Sequence, residues 1–280
     1  MSEAAAIHLS CIEVVKRATG QLAHFVQLAL HQQLEPVRVA RAAYALLSCG
    51  CSRNVPFLGH TVSSYLTAAQ RSDGGWVDVE ETAWCLGYLS AFGDRYIIEV
   101  ANGRNWLASV RLPCGAWGKC ERDQPRITLT ALISTLAPET VDASGLEWLT
   151  KQWKADLANP VQFTYKGAFF LIALMHELAP HDDELLDQTL AHLCAEQEVD
   201  GGFAPWKGHP AGGDPWTAGI VLWGLSKFAK RVPAGILERT AAWLQSRQLP
   251  DGLWAYHYLD DGTSMALIGL SSVLPFLSKE

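Results

Sequence analysis

The chain has 280 residues, 49% of them hydrophobic and 18% charged, and its 22 basic and 29 acidic side chains leave a net charge of −7. That length admits one large domain or two ordinary ones, while the acidic balance and the lack of any Lys/Arg run exclude a row of phosphates, and so nucleic acid, as partner. Eleven Trp require either a large core or an aromatic-lined pocket.

The opening Met1-Ser2-Glu3-Ala4 lacks a basic n-region and an uninterrupted apolar run, so no signal peptide is expected. The longest apolar run, Phe169 to Met175, is far short of the about 20 residues that span a bilayer. Seven Cys, an odd number with several inside apolar helical stretches, fit a reduced, cytoplasmic setting.

Hydrophobic periodicity predicts helices throughout, in alternating kinds. Residues from about Ile7 to Gln33 form a first amphipathic helix, and Pro36 to Cys49 follows with Pro suited to a first helical turn. Further amphipathic helices are expected at Phe57–Arg71, Ile97–Arg111, Ser144–Trp153, Asp183–Gln197 and Pro233–Gln248. Between them lie helices apolar on nearly every face: Glu81–Phe92, Ile127–Ala137, Phe163–Leu178, Trp216–Phe228 and Thr263–Leu277. Helices of the second kind belong inside.

The joints repeat. A Leu four residues before a Gln-like position recurs at Leu66, Leu107, Leu149, Leu193 and Leu244, at intervals of 41, 42, 44 and 51. Gln-x-x-Asp-Gly-x-aromatic follows it at Gln70–Trp76, Gln197–Phe203 and Gln248–Trp254, with a degraded copy at Arg111–Trp117. A fixed period of this size marks repeat architecture. Short connections make each inner helix antiparallel to its outer partner, so six inner helices point one way, and an open stack of them would expose an apolar face. The expected fold is all-α, a single-domain (α/α)6 toroid over residues 1–280. Gly at the joints tolerates the positive φ of a helix end, and the Gln and ring are expected to tie one repeat to the next.

Parallel inner helices gather their N-termini at one mouth. The residues expected there include Asp78, Glu80 and Glu81; Asp123 and Arg126; Phe163, Tyr165 and Lys166; Asp214 and Trp216; Tyr256, His257, Tyr258, Asp260 and Asp261; and Arg38 with Arg41. Crowded carboxylates in a partly dry pocket raise the pKa of one of them, which suits a proton donor. Acids in a first helical turn also simply complement the helix dipole. Both roles, and metal ligation, are open to Asp78, Glu80 and Glu81. The basic residues suit either a diphosphate or the neutralisation of those acids. Cys114-x5-Cys120 has a spacing unlike common zinc sites, and the Gly/Pro-rich loop Lys207 to Pro215, with His209, is a candidate lid.

Leu-x3-Gln-x-x-Asp-Gly-Gly-Trp resembles the QW motif of squalene-hopene and oxidosqualene cyclases, and a single six-pair ring is similar to one domain of those enzymes and to the β-subunits of protein prenyltransferases. Asp78-Val79-Glu80-Glu81-Thr82-Ala83 resembles the Asp-x-Asp-Asp-Thr-Ala motif of class II terpene cyclases, with two Glu in place of Asp. The resemblance implies acid-initiated cyclisation of an isoprenoid or prenylated small molecule, with no cofactor. It places Glu80 as proton donor flanked by Asp78 and Glu81, and Tyr165, Lys166, Phe169, Trp216, Tyr258, Arg126 and Asp261 as substrate contacts. The family's large cyclases hold substrate between two helical domains, so a shorter substrate or a protein partner completing the cavity is expected here. Zinc-dependent prenyl transfer is disfavoured, since no Asp-x-Cys exists and Asp214-Pro215-Trp216-Thr217 offers Trp where that family has His. A non-catalytic isoprenoid-binding protein and a zinc-independent prenyltransferase-like enzyme are the alternatives.

Overall fold

The computed structural model describes residues 3–174 and 183–277. Among them there is no strand, and twelve principal helices alternate between an outer and an inner ring. The outer set is α1 (Glu3–His31), α3 (Ser63–Ala69), α5 (Ile97–Ser109), α7 (Ala143–Leu157), α9 (Asp183–Glu196) and α11 (Ile236–Arg247). The inner set is α2 (Pro36–Ser48), α4 (Val79–Ser90), α6 (Ile127–Leu136), α8 (Thr164–Ala173), α10 (Pro215–Ser226) and α12 (Leu259–Val273). Each inner helix packs on the next, and α12 packs back on α2, so the ring closes. The first outer helix also lies against the last, α1 on α11.

Burial follows composition. In α10 every residue except Trp216 is buried, whereas outer α5 buries only Val100, Gly103 and Leu107. The inner helices therefore supply most of the hydrophobic stabilisation, and the outer ones shield them.

The joints explain the repeated phrase. Trp76, Trp117 and Trp254 are fully buried, and each indole Nε1 donates to the carbonyl ten residues earlier: Leu66 at 2.9 Å, Leu107 at 2.8 Å and Leu244 at 2.7 Å. Those carbonyls are orphans of an outer helix end. Each Trp N–H donates in turn to a Thr hydroxyl of the following inner helix, Thr82, Thr130 or Thr263. Gln70 Nε2 donates to Gly74 O and to Glu99 O in the next repeat, both at 2.8 Å. Gln248 does the same across the closure, to Gly252 O at 2.8 Å and Val14 O at 3.1 Å. These rings and amides are staples. At Gly74 φ is +93°, and a Cβ there would stand 2.6 Å from Asn102 O, so conformation and space both require Gly.

Several helix limits differ from expectation. α12 starts at Leu259 rather than Thr263, which brings Asp260 and Asp261 inside the first turn. The outer helix expected from Phe57 opens with a π-helical turn, Phe57–Val62. The expected end of the fourth inner helix at Leu178 lies outside the described residues.

Candidate functional site

Local chemistry at the start of α4 separates the three adjacent acids. Asp78 is the N-cap, its Oδ1 accepting from Glu81 N at 2.9 Å. Glu81 is buried and reaches backward, accepting from Val77 N and from Val37 N, each at 3.0 Å. It thereby joins α4 to the start of α2, and both its oxygens are occupied. Glu80 makes no such bond. Its side chain lines the principal cavity and stays 34% accessible. Of the cluster read from sequence, one carboxyl faces the ring's interior and the other two hold the helix start in place.

Around Glu80 the charges do not balance. Asp260, 1% exposed, is held by Arg38, whose Nη2 lies 2.5 Å from Oδ1. Arg41 Nη1 lies 3.1 Å from Asp261 and 3.9 Å from Glu80, and its Nη2 3.7 Å from Asp260. One guanidinium thus serves two cavity-mouth carboxylates after Arg38 has taken Asp260. Burial pushes the Glu80 carboxyl above the usual range, Arg41 pulls it back, Asp78 and Asp261 raise it further, and Lys119 opposes them. Asp261 is raised for the same main reason, burial, against Arg41. This arrangement favours keeping a proton on the group that can give it up inward.

The cavity below measures about 790 Å³, within the range of small-molecule sites. Its walls are Trp84 on α4, Leu129 and Leu132 on α6, Tyr165 and Phe169 on α8, Trp216 on α10, Met265 on α12, and Tyr256. Trp216 stacks on Tyr256 at 5.5 Å and 6°, and meets Tyr165 and Phe169 each at 6.1 Å. Residues 205–212 close one side with Pro205, Trp206 and His209. His209 abuts the Trp206 ring at 4.3 Å, and its Nδ1 is buried without a hydrogen-bond partner. Asp214 also faces the cavity, but its oxygens cap α10, accepting from Thr217 N and Oγ1, each at 2.8 Å. Aromatic faces line this space, and they stabilise a cation without reacting with it.

The structure brings Glu80, Tyr165, Phe169 and Trp216 together on the cavity and sets Asp261 beside it. Tyr258 is not on that cavity's wall: it is 57% exposed and lies under Arg38, 4.6 Å away, in a second cleft that Glu80 and Asp261 also line, together with Asp78 and Glu81. Lys166 and Arg126 share a neighbouring cleft of about 340 Å³, which also touches Tyr165. There Lys166 pairs with Asp156 at 2.6 Å, and Arg126 with Asp123 at 2.7 Å. Cys114 and Cys120 are exposed, and among the described residues no three His, Cys, Asp or Glu side chains cluster as metal ligands. Trp84 and Trp206 are the aromatic residues of the cavity that sequence reasoning did not single out. Trp84 sits four residues after Glu80, one turn along the same face, and that spacing was the available signal.

No protein-family model matches the chain. It is 28% identical over 211 residues, 67% of its length, to a drimenyl diphosphate synthase of Streptomyces showdoensis, of which those residues make up 39%. The chain therefore spans about two fifths of that relative. Among solved structures it is similar to the type II terpene cyclase MstE from Scytonema in complex with geranylgeranyl dihydroxybenzoate, its substrate. There the TM-score is 0.72 at 15% identity, covering 95% of this chain and 98% of that one. It is also similar to ent-copalyl diphosphate synthase from Streptomyces platensis, with a TM-score of 0.60 and 18% identity over 85% of this chain and 50% of that one. The fold is the helical toroid of type II terpene cyclases.

Proposed function

We propose that residues 1–280 form one domain, a class II-like terpenoid cyclase that protonates the terminal alkene of a linear isoprenoid or prenylated small molecule and lets the cation close into rings. The observation that carries this reading is Glu80: a carboxyl of raised pKa, short of counter-charge, at the head of an aromatic cavity. The relative named for a drimenyl diphosphate and the neighbour holding a geranylgeranyl arene support the substrate class.

In this reading Glu80 is the proton donor. Asp78 and Glu81 position it, and Asp261 with Arg41 sets its affinity for the proton. The cation formed moves past Trp216, Tyr256, Tyr165 and Phe169, which stabilise it and exclude water. The imidazole of His209, on the loop wall, takes the final proton. Lys166 and Arg126 hold the substrate's polar or anionic head in the adjoining cleft, leaving the chain to fold through the cavity. A protein surface over the mouth would complete the exclusion of water where Glu80 remains accessible. A cytoplasmic setting fits the seven unpaired cysteines, and among the described residues no helix is long and apolar enough to cross a membrane.

The test is incubation with linear prenyl diphosphates and a prenylated arene, with products read by mass spectrometry. Cyclic products from the wild type and none from Glu80→Gln support the reading. Binding without any product, from every compound offered, would leave an isoprenoid-binding protein instead.

A further inference from the structure

The ring's bore continues beyond the cavity described above. A second void of about 360 Å³ opens toward the opposite mouth, lined by Tyr44, Gly87, Thr135 and Leu136 among others. The two voids are stacked on the same three helices. Along α2, α4 and α6 the last upper-cavity residues are Arg41, Trp84 and Leu132, and the lower void begins three residues later on each with Tyr44, Gly87 and Thr135. Three residues are less than one helical turn, about 4.5 Å of rise. Only one layer of side chains divides them.

Two rings dominate that layer. Trp84 is 2% exposed and meets Tyr44 edge-on, with centroids 5.6 Å apart and planes at 68°. On the opposite side α10 and α12 approach closely, since a Cβ on Gly219 of α10 would stand 2.3 Å from Met265 O of α12. The α10 and α12 backbones are in contact there. The lower void lies on the side of α2, α4 and α6, where Trp84 stands.

We propose that Trp84, braced by Tyr44, is the floor that limits the length of the isoprenoid chain this site accepts. The inference rests on the cyclase reading for its ligand. With the polar head at Lys166 and Arg126 and the reacting end at Glu80, both ends of the chain lie at the upper mouth, and added isoprene units can only sag down the bore. Truncating Trp84 joins the lower void to the cavity and gives those units apolar surface against Leu132 and Leu136.

The experiment uses the full chain, wild type and Trp84→Ala, with geranyl, farnesyl, geranylgeranyl and geranylfarnesyl diphosphates. Affinity is read by calorimetry and products by mass spectrometry, independently. The expected result is that Trp84→Ala moves the tightest-binding chain up by one isoprene unit, with the affinity ratio of the longer to the shorter neighbour rising by at least about tenfold. If Trp84→Ala does not fold, Trp84→Leu, which retains apolar bulk, is read the same way with a smaller shift. An unchanged length preference in a folded variant overturns the floor even if the wild type cyclises its substrate. A shifted preference without turnover in any form keeps the floor and rejects the cyclase reading. No binding of any of the four overturns both.

Discussion

Arg41 Nη1 lies 3.1 Å from Asp261 Oδ1, at the lip of the aromatic cavity. The same nitrogen is 3.9 Å from Glu80, so one cation moderates two carboxyls that burial has already pushed toward their neutral forms. Removing it as Arg41→Gln should leave both more reluctant to ionise. The high-pH limb of turnover is then expected to move to higher pH. Because Arg41 is buried and also touches Asp260, denaturant melts should show a loss of about 3 kcal/mol.

Glu80→Gln separates chemistry from stability. Loss of the donor should lower turnover by about a thousandfold or more, with substrate affinity within a few-fold of wild type. Stability should change in the other direction. A carboxyl raised in the folded state binds its proton more tightly there than in the unfolded chain, so its contribution is present at low pH and is lost as pH rises through the folded-state value. Glu80→Gln is therefore expected to melt at a higher temperature than wild type at neutral pH, and the difference should close below the ordinary Glu range.

Glu81→Gln and Asp78→Ala test the positioning roles. Glu81→Gln weakens the acceptance of Val37 N and Val77 N in a buried joint, at a cost of about 1–3 kcal/mol. Asp78→Ala removes an N-cap, about 1 kcal/mol. Thermal melts should report both losses. Turnover per folded molecule should fall far less than in Glu80→Gln, and Glu81→Asp should recover little, since one methylene fewer cannot span both amides.

The architecture was legible because its cause is local and repeated. Leu66 and Trp76, Leu107 and Trp117, and Leu244 and Trp254 are each ten residues apart, and the same indole-to-carbonyl bond follows each time. The site was legible only in part. Asp78, Glu80 and Glu81 lie within one turn, where a cap, a joint and a cavity acid have the same appearance in sequence; which way each points depends on where α2 lies, a contact across 44 positions for Glu81 and Val37. Tyr258 was grouped with Tyr256 by adjacency, yet α12 starts early enough to send it outward under Arg38. Trp206 comes from a connection without periodicity, so nothing in the pattern marks it as wall, whereas His209 falls in the Gly/Pro-rich loop whose composition marked a candidate lid.

Trp216→Ala removes a ring that contacts Tyr165, Phe169 and Tyr256. Turnover should fall by about tenfold to a hundredfold, as expected for loss of about 2 kcal/mol of cation–π stabilisation. Water should also reach the cation, and hydroxylated products should appear beside the olefinic ones, each keeping the substrate's head group. Product profiling by gas chromatography checks both. Arg126→Ala, by contrast, should raise KM with little change in kcat if it holds only the head group.

The most direct measurement of the central claim is turnover in deuterium oxide with a linear prenyl substrate. Donation from Glu80 predicts a cyclic product carrying one solvent-derived deuterium at the former terminal alkene, with any diphosphate retained, and no such product from Glu80→Gln. A product that has lost diphosphate and carries no deuterium would contradict it, because the cation would then have arisen by ionisation of the head rather than by protonation of the tail.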